Sequence, residues 1–166
     1  MDISGYTGFL SKTSLLHGKE VITDILEKLY GSFPKKLILN KIEGDALFAY
    51  SYILQKPDLI KLSRILHDEF HKIITELTSK HDQCAFELCH RLCDLHIKFL
   101  IHSGRFAEHK IDSFDELIGV PVIELHRLQN NESDTDGYIL ATDKNGKYSS
   151  SYKHIGEINY NLIKFH

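Results

Sequence analysis

Two segments of the chain carry apolar side chains at the spacing of an amphipathic helix. The first covers residues 19–30, and Gly31 suits the C-terminus of that helix because glycine readily adopts a left-handed backbone. The second begins at Pro57, and its apolar stripe repeats every three or four residues. The apolar positions are Val21, Ile22, Ile25, Leu26 and Leu29 in the first, and Leu59, Leu62, Leu66, Phe70, Ile73 and Leu77 in the second. We therefore predict two helices, each packed on a core by one face.

Between and after these helices, shorter segments have the pattern of strands. Residues 35–53 read as two strands joined by a tight hairpin at Glu43-Gly44-Asp45. Residues 94–104 alternate as a strand that ends at a turn, and we expect residues 105–111 to form its returning partner. Residues 120–131 read as a helix with a proline near its start. Closing strands are predicted at 137–143 and within 152–165, separated by the polar turn at 144–147.

This order of elements is that of a split βαβ fold, provided that a first strand precedes the helix at 19–30. We therefore predict an α+β, ferredoxin-like sheet with helices on one face. The first strand is expected to be truncated, since only Met1 stands before Asp2. A length of 166 residues fits a single domain over 1–166.

Bulk composition narrows the possible partners. The net charge is −3 and the sequence pI is about 6.4, which gives no general attraction to nucleic acid or to anionic lipid. No apolar run approaches a membrane span, and we see no leader peptide pattern. We therefore expect a cytoplasmic protein that binds neither nucleic acid nor a membrane.

Two acidic residues stand at turns that the predicted sheet brings together. Asp2 precedes the turn Ser-Gly-Tyr-Thr-Gly, and Asp45 lies at the hairpin tip. In a ferredoxin-like sheet, the end of the first strand lies near the hairpin between the second and third strands. Two carboxylates that meet there are suitable ligands for Mg²⁺ or Mn²⁺, and backbone N–H groups of the glycine-containing turn suit phosphate oxygens. Taken singly, each aspartate is also an ordinary turn former or a solvated hairpin residue.

Four segments in order resemble the catalytic domain of class III adenylate/guanylate cyclases. They are "DISGYTGF" at residue 2, "KIEGDALFAY" at 41, "IHSGRFAEHKI" at 101 and "IGVPVIELHRL" at 118. The resemblance covers about residues 2–165. Within the class III cyclase superfamily, the sequence more closely resembles an uncharacterised bacterial branch. It implies a nucleoside triphosphate substrate and a homodimer, because such sites are formed between two domains arranged head to tail.

The resemblance also implies a role for individual residues. Asp2 and Asp45 match the two metal-binding aspartates, and Ile3 matches the residue whose backbone carbonyl helps to hold a metal. Lys41 matches the lysine that reads the purine edge, and Glu116 stands where the acidic base-specifying residue is found. Arg127 matches the arginine that stabilises the transition state. The ordinary alternatives are a solvated strand lysine and an exposed helix arginine.

The sequence departs from the family pattern at three places. Ile123 replaces the asparagine that orients the ribose, and isoleucine makes no hydrogen bond. Ile155 stands where the late triphosphate-binding lysine is often found. Lys153 can take the place of that lysine only if the register of the segment is shifted. The third departure is the short first strand, which is expected to leave Asp2 poorly fixed beside the charged N-terminus.

Cysteines and histidines form a second cluster of interest. Cys84, Cys89 and Cys93 have a spacing that matches no zinc knuckle or ribbon, so buried apolar cysteines are the favoured interpretation over a structural Zn²⁺ site. An odd count also argues against a disulfide framework. His67 and His71 are one helical turn apart, which suits either a metal pair or surface histidines beside acidic neighbours.

Three functions remain open at this point. The first is a nucleotidyl cyclase that forms a 3′,5′-cyclic nucleotide with two divalent metals. The second is a catalytically degenerate cyclase-like module that acts through nucleotide binding or dimerisation, and the departures favour it. The third is a ferredoxin-like ligand-binding domain whose acidic turns are coincidental.

Overall fold

A seven-stranded mixed sheet organises the chain, in the strand order β2-β3-β1-β4-β7-β9-β8. The computed structural model describes residues 1–81, 89–129, 136–143, 148–152 and 156–165. The strands are β1 (Asp2–Ser4), β2 (Ile38–Glu43), β3 (Ala46–Tyr50), β4 (His96–Ile101), β5 (Ala107–Ile111), β6 (Phe114–Ile118), β7 (Tyr138–Thr142), β8 (Tyr148–Tyr152) and β9 (Gly156–Lys164). The helices are α1 (Tyr6–Leu10), α2 (Leu15–Gly31), α3 (Lys56–His81), α4 (Val120–Leu128) and a 3₁₀ helix (Cys89–Asp94).

The main core lies between one face of the sheet and the long helices α2 and α3. Strand side chains of alternate positions meet the apolar stripes predicted from the sequence, because successive strand residues point to opposite faces. The strand members of this core include Ile3, Leu47, Ile97, Phe99, Ile101 and Ile139, and the helix members include Ile25, Leu29, Phe70 and Ile73. Each such side chain contributes about 1.5–3 kcal/mol on full burial. The predicted ferredoxin-like α+β fold and its two long helices are confirmed.

The opposite face of the sheet carries the shorter helix α4 and a smaller apolar cluster. Leu128 at the end of α4 is fully buried there, together with Tyr138 and Leu140 of β7. Ile158 and Tyr160 of β9 complete this cluster. The helix ends at Leu128, three residues before the predicted end at 131.

The predicted pairing of residues 105–111 with β4 is wrong. β5 pairs with β6 in a separate two-stranded sheet, with Ile111 opposite Phe114. The partner of β4 is instead β7, which runs parallel to it. All five residues of β5 are exposed, so no apolar alternation held this strand to the main sheet.

The first strand is short, as predicted, but it occupies a central position. β1 lies between β3 and β4 and is antiparallel to both, with Asp2 opposite Ala46 on one side and Lys98 on the other. No helix among the described residues is long and apolar enough to cross a membrane.

Candidate active site

The carboxylates of Asp2 and Asp45 meet at the end of the hairpin between β2 and β3. Gly44 has φ of +63°, a conformation that favours glycine, and it turns the chain into β3. Asp45 directly precedes β3, whose first residue, Ala46, is opposite Asp2 of β1. Burial raises the pKa of Asp45, and the negative charge of Asp2 raises it further. The fold therefore brings together the two acidic residues that the sequence singled out.

Lys98 of β4 supplies the positive charge nearest to Asp2. Its Nζ lies 2.7 Å from Asp2 Oδ2, and the two side chains are only 19% and 17% exposed. Burial alone lowers the pKa of Lys98, but the hydrogen bond and charge of Asp2 outweigh it, so the pKa is raised. The two aspartates and the Lys98 ammonium group therefore form a cluster of three interacting charges.

Asp2 is well fixed, which corrects the expectation that it hangs loosely beside the N-terminus. The ammonium of Met1 donates to Leu47 O at 3.0 Å, and Leu47 N donates to Met1 O at 3.0 Å. Burial lowers the pKa of the Met1 ammonium to about 6. Ile3 is 3% exposed and pairs with Ile97. Strand pairing on both sides and the buried side chain of Ile3 compensate for the short strand.

The donor set fits a hard divalent cation only in part. Two carboxylates and a backbone carbonyl are oxygen ligands of the kind that Mg²⁺ and Mn²⁺ prefer. Within the described ranges, however, no group of three or more His, Cys, Asp or Glu side chains is arranged to hold a metal. Lys98 already neutralises Asp2, so a bound cation has to share or displace this ammonium group.

Lys41 and Glu116 are brought together from separate sheets. Lys41 Nζ lies 2.7 Å from Glu116 Oε2 and 3.3 Å from Glu43 Oε1. The hydrogen bond to Glu116 is the main reason that the pKa of Lys41 is raised. Asn40 Nδ2 donates to Asp115 O at 2.9 Å, which ties β2 to β6 beside this pair. A cation and a carboxylate at one place can bind the donor and acceptor groups of a purine edge.

Helix α4 carries Arg127 and presents Ile123 one turn before it. Ile123 is 49% exposed, so the position that resembles the ribose-orienting asparagine is open to solvent but apolar. The start of α4 lies against the turn at Gly104, where an added Cβ would come within 2.2 Å of the Pro121 side chain. The glycine of the "IHSG" segment therefore has a packing role: it lets α4 approach β4.

A buried polar network beneath α4 was missed by the sequence analysis. His102 Nδ1 lies 2.7 Å from Thr142 Oγ1, and His102 Nε2 lies 2.7 Å from Glu124 Oε2. The side chains of His102 and Glu124 are only 11% and 18% exposed. The network joins the end of β4 and strand β7 to α4. Its member on α4, Glu124, lies three residues before Arg127. The only signal in the sequence was the histidine of "IHSG", and nothing there pointed to Glu124.

The remaining candidates have simpler surroundings. His67 Nε2 lies 3.1 Å from His71 Nε2, and the His67 ring stacks on Phe165 at 3.7 Å between centroids. Cys93 is an exposed free thiol, and Cys89 is in the 3₁₀ helix. Cys84, Lys153, Ile155 and the turn at 144–147 lie outside the described residues.

Residues 22–138 match the family described as "Protein of unknown function (DUF2652)". The chain belongs to this family. Among curated proteins, the chain is similar to the uncharacterized protein Rv2561/Rv2562 of Mycobacterium tuberculosis (strain ATCC 25618 / H37Rv), to which it is 30% identical over 116 residues. That match covers 66% of this chain and 51% of the mycobacterial protein, so the chain spans about half the length of the curated relative that it matches.

Among solved structures, this DUF2652 chain is similar to the adenylyl cyclase CyaB from P. aeruginosa, with a TM-score of 0.67. The superposition covers 99% of this chain and 91% of the cyclase chain at 12% sequence identity. At that identity the likeness shows the fold, which is that of a class III cyclase. The expected cyclase-type architecture is thereby confirmed.

Proposed function

We propose that this DUF2652 protein binds a nucleoside triphosphate together with divalent cations at the Asp2–Asp45 cluster, and that it is a candidate nucleotidyl cyclase. The observation that carries the proposal is the meeting of these two carboxylates, with the pKa of Asp45 raised by burial and by Asp2. Burying two like charges together costs stability unless a cation accompanies them. Lys98 forms an ion pair with Asp2 and supplies one positive charge for two carboxylates, so their meeting at one end of β1 favours a cation-binding role over coincidental turns.

In the proposed reaction, the 3′-oxygen of the nucleotide forms a bond to the α-phosphorus and pyrophosphate leaves. The proton of the 3′-hydroxyl passes to solvent or to a nearby base. A bound Mg²⁺ or Mn²⁺ would supply Lewis-acid stabilisation of the phosphate oxygens. This chain contributes Asp2, Asp45 and the Ile3 carbonyl to hold the cation. Lys41 and Glu116 bind the base edge, and the Arg127 guanidinium offsets negative charge on the phosphoryl oxygens.

We further propose that the site is completed by a second copy of the chain. Large apolar side chains are exposed on β2, on the β5–β6 hairpin and on α4, which are the elements that carry Lys41, Glu116 and Arg127. They are Ile42 (57% exposed), Ile111 (61%), Phe114 (68%), Ile118 (52%), Val120 (58%) and Ile123 (49%). Contiguous exposed apolar surface is typical of protein interfaces. Sedimentation of the wild type and of Phe114→Asp tests this. We expect the wild type to be a dimer and Phe114→Asp to be a monomer. A wild type that is itself monomeric would contradict the proposal.

The second candidate is a degenerate module that binds nucleotide without turnover. Two observations favour it: Ile123 offers no hydrogen bond to a ribose, and Lys98 already occupies the neutralising position beside Asp2.

One experiment separates these functions. The purified protein is incubated with each of the four nucleoside triphosphates and Mn²⁺, and cyclic products are sought by mass spectrometry, with Asp45→Asn as the matched control. A cyclic product that disappears in Asp45→Asn supports the cyclase. Mn²⁺-dependent nucleotide binding without product, lost in the same variant, supports the degenerate module. Nucleotide affinity that is equal in both proteins contradicts the metal-site proposal altogether.

A further inference from the structure

Two histidines of the long helix α3 direct a ring nitrogen toward each other. His67 and His71 are one helical turn apart, so their side chains share a face of the helix. His67 Nε2 lies 3.1 Å from His71 Nε2, and the two rings are 4.4 Å apart between centroids with an interplanar angle of 71°. In this arrangement one Nε2–H donates to the other Nε2, so both ring nitrogens face a common point.

The ring of His67 is held in place by two neighbours. It stacks on the ring of Phe165 at 3.7 Å between centroids, and its side chain is only 16% exposed. Its second nitrogen, Nδ1, lies 3.5 Å from Asp68 Oδ1. A carboxylate beside Nδ1 favours the tautomer with the proton on that nitrogen, which leaves the Nε2 lone pair available to a metal ion. Burial and the neighbouring His71 lower the pKa of His67, which favours the neutral ring that metal binding requires.

The distance between the two Nε2 atoms fits a shared metal ion. Metal–nitrogen bonds to histidine are about 2.05 Å long, so two nitrogens that are 3.1 Å apart subtend about 98° at the ion. This angle lies between the value of about 90° in octahedral or square-planar sites and about 109° in tetrahedral ones. Two histidines at i and i+4 on one helical face are also the spacing found in zinc-binding helices. His71 is exposed, so an ion can reach the pair from solvent.

We propose that His67 and His71 bind one divalent transition-metal ion of the Ni²⁺, Cu²⁺ or Zn²⁺ class through their Nε2 atoms. His71 then carries its proton on Nδ1, so both rings stay neutral. Within the described ranges no third His, Cys, Asp or Glu joins the pair, so this part of the chain supplies two ligands. The nitrogen ligands distinguish this site from the oxygen ligands of the Asp2–Asp45 cluster, and the inference is independent of the proposed function.

Isothermal titration calorimetry of the full chain with Ni²⁺, in the absence of nucleotide, tests the site. His71→Ala removes one ligand at an exposed position, where the fold does not depend on the side chain. The matched control combines His71→Ala with Lys72→His, which keeps the number of histidines but separates the pair by five residues, so that it no longer shares a face. Asp45→Asn is the control for the acidic cluster. Melting temperatures without metal verify that each variant is folded.

We expect the wild type and Asp45→Asn to bind Ni²⁺ at this site with equal affinity, and both His71 variants to bind it about tenfold or more weakly. A large excess of Mg²⁺ should not displace the ion, because imidazole nitrogen is a poor ligand for hard cations. Equal affinity of the wild type and the variant with the shifted histidine would overturn the proposal. Loss of binding in Asp45→Asn, or displacement by Mg²⁺, would overturn it too, because the acidic cluster would then hold the ion.

Discussion

Replacing Lys98 with methionine removes the positive charge beside Asp2 and keeps an apolar stem of similar length. The 2.7 Å contact between Lys98 Nζ and Asp2 Oδ2 is lost, and two aspartates then remain together without that cation. Both side chains of the pair are more than four-fifths buried, so solvent screens their interaction only weakly. We therefore expect the substitution to lower the free energy of unfolding.

The size of the effect follows from the burial of the pair. Removing one partner of a fully buried ion pair costs about 3–5 kcal/mol, and the residual exposure here reduces that to about 2–3 kcal/mol. For a domain of this length, each kcal/mol corresponds to about 2–4 °C in melting temperature. Lys98→Met should therefore melt about 4–12 °C below the wild type.

Thermal and urea unfolding at pH 7 measure this change, and two further variants isolate its cause. Lys72→Met removes an exposed lysine, paired with Glu69 at 3.2 Å, and should change stability by less than about 0.5 kcal/mol. Asp2→Asn in the Lys98→Met background should restore most of the loss, because it removes the unpaired charge. A Lys98→Met effect no larger than that of Lys72→Met, or no recovery in the double variant, would refute the reasoning.

The remaining predictions concern the same site and its support. The pKa of Asp45 is raised above 3.8, so its charge destabilises the folded protein at neutral pH, and this cost disappears as the pH falls toward 3.8. Asp45→Asn should therefore raise the free energy of unfolding at pH 7 but not below about pH 4, as measured by urea titration. An equal change in that free energy at the two pH values would contradict this prediction. Glu124→Leu leaves His102 Nε2 without its carboxylate and should cost about 1–3 kcal/mol, whereas Glu124→Gln should cost less. Gly104→Ala forces a clash with Pro121 and should lower the free energy of unfolding by about 1–3 kcal/mol in thermal unfolding. The control Gly31→Ala places its Cβ in open space and should cause no such loss.

The sequence predicted those parts of the fold whose apolar periodicity is strong. The stripes of α2 and α3 and the hairpin at Gly44 follow local rules of burial and turn geometry, so their positions were readable. The pairing of residues 105–111 was not, because every residue of β5 is exposed and no buried face defines its partner. A strand with no core face carries little information about which edge it joins.

The candidate site divides in the same way. Asp2 and Asp45 were found because topology alone brings the end of β1 beside the hairpin. Lys98 and Glu124 were missed because their roles depend on contacts across strands and layers, at 2.7 Å in each case, which no local spacing encodes. The error about Asp2 arose from counting residues before it and ignoring the two strands that hold it.

The pair formed by Lys41 and Glu116 spans two sheets that are built differently. Lys41 belongs to the large sheet, whose register is set by the core, whereas Glu116 belongs to the solvent-exposed β5–β6 hairpin, tied to β2 beside it by Asn40 and Asp115. Insertions or substitutions at the exposed positions of the hairpin can therefore accumulate over evolution with little penalty to folding, and each would reposition Glu116 relative to Lys41. Under the proposed function, related chains with the same core would be free to diverge in the base that they prefer.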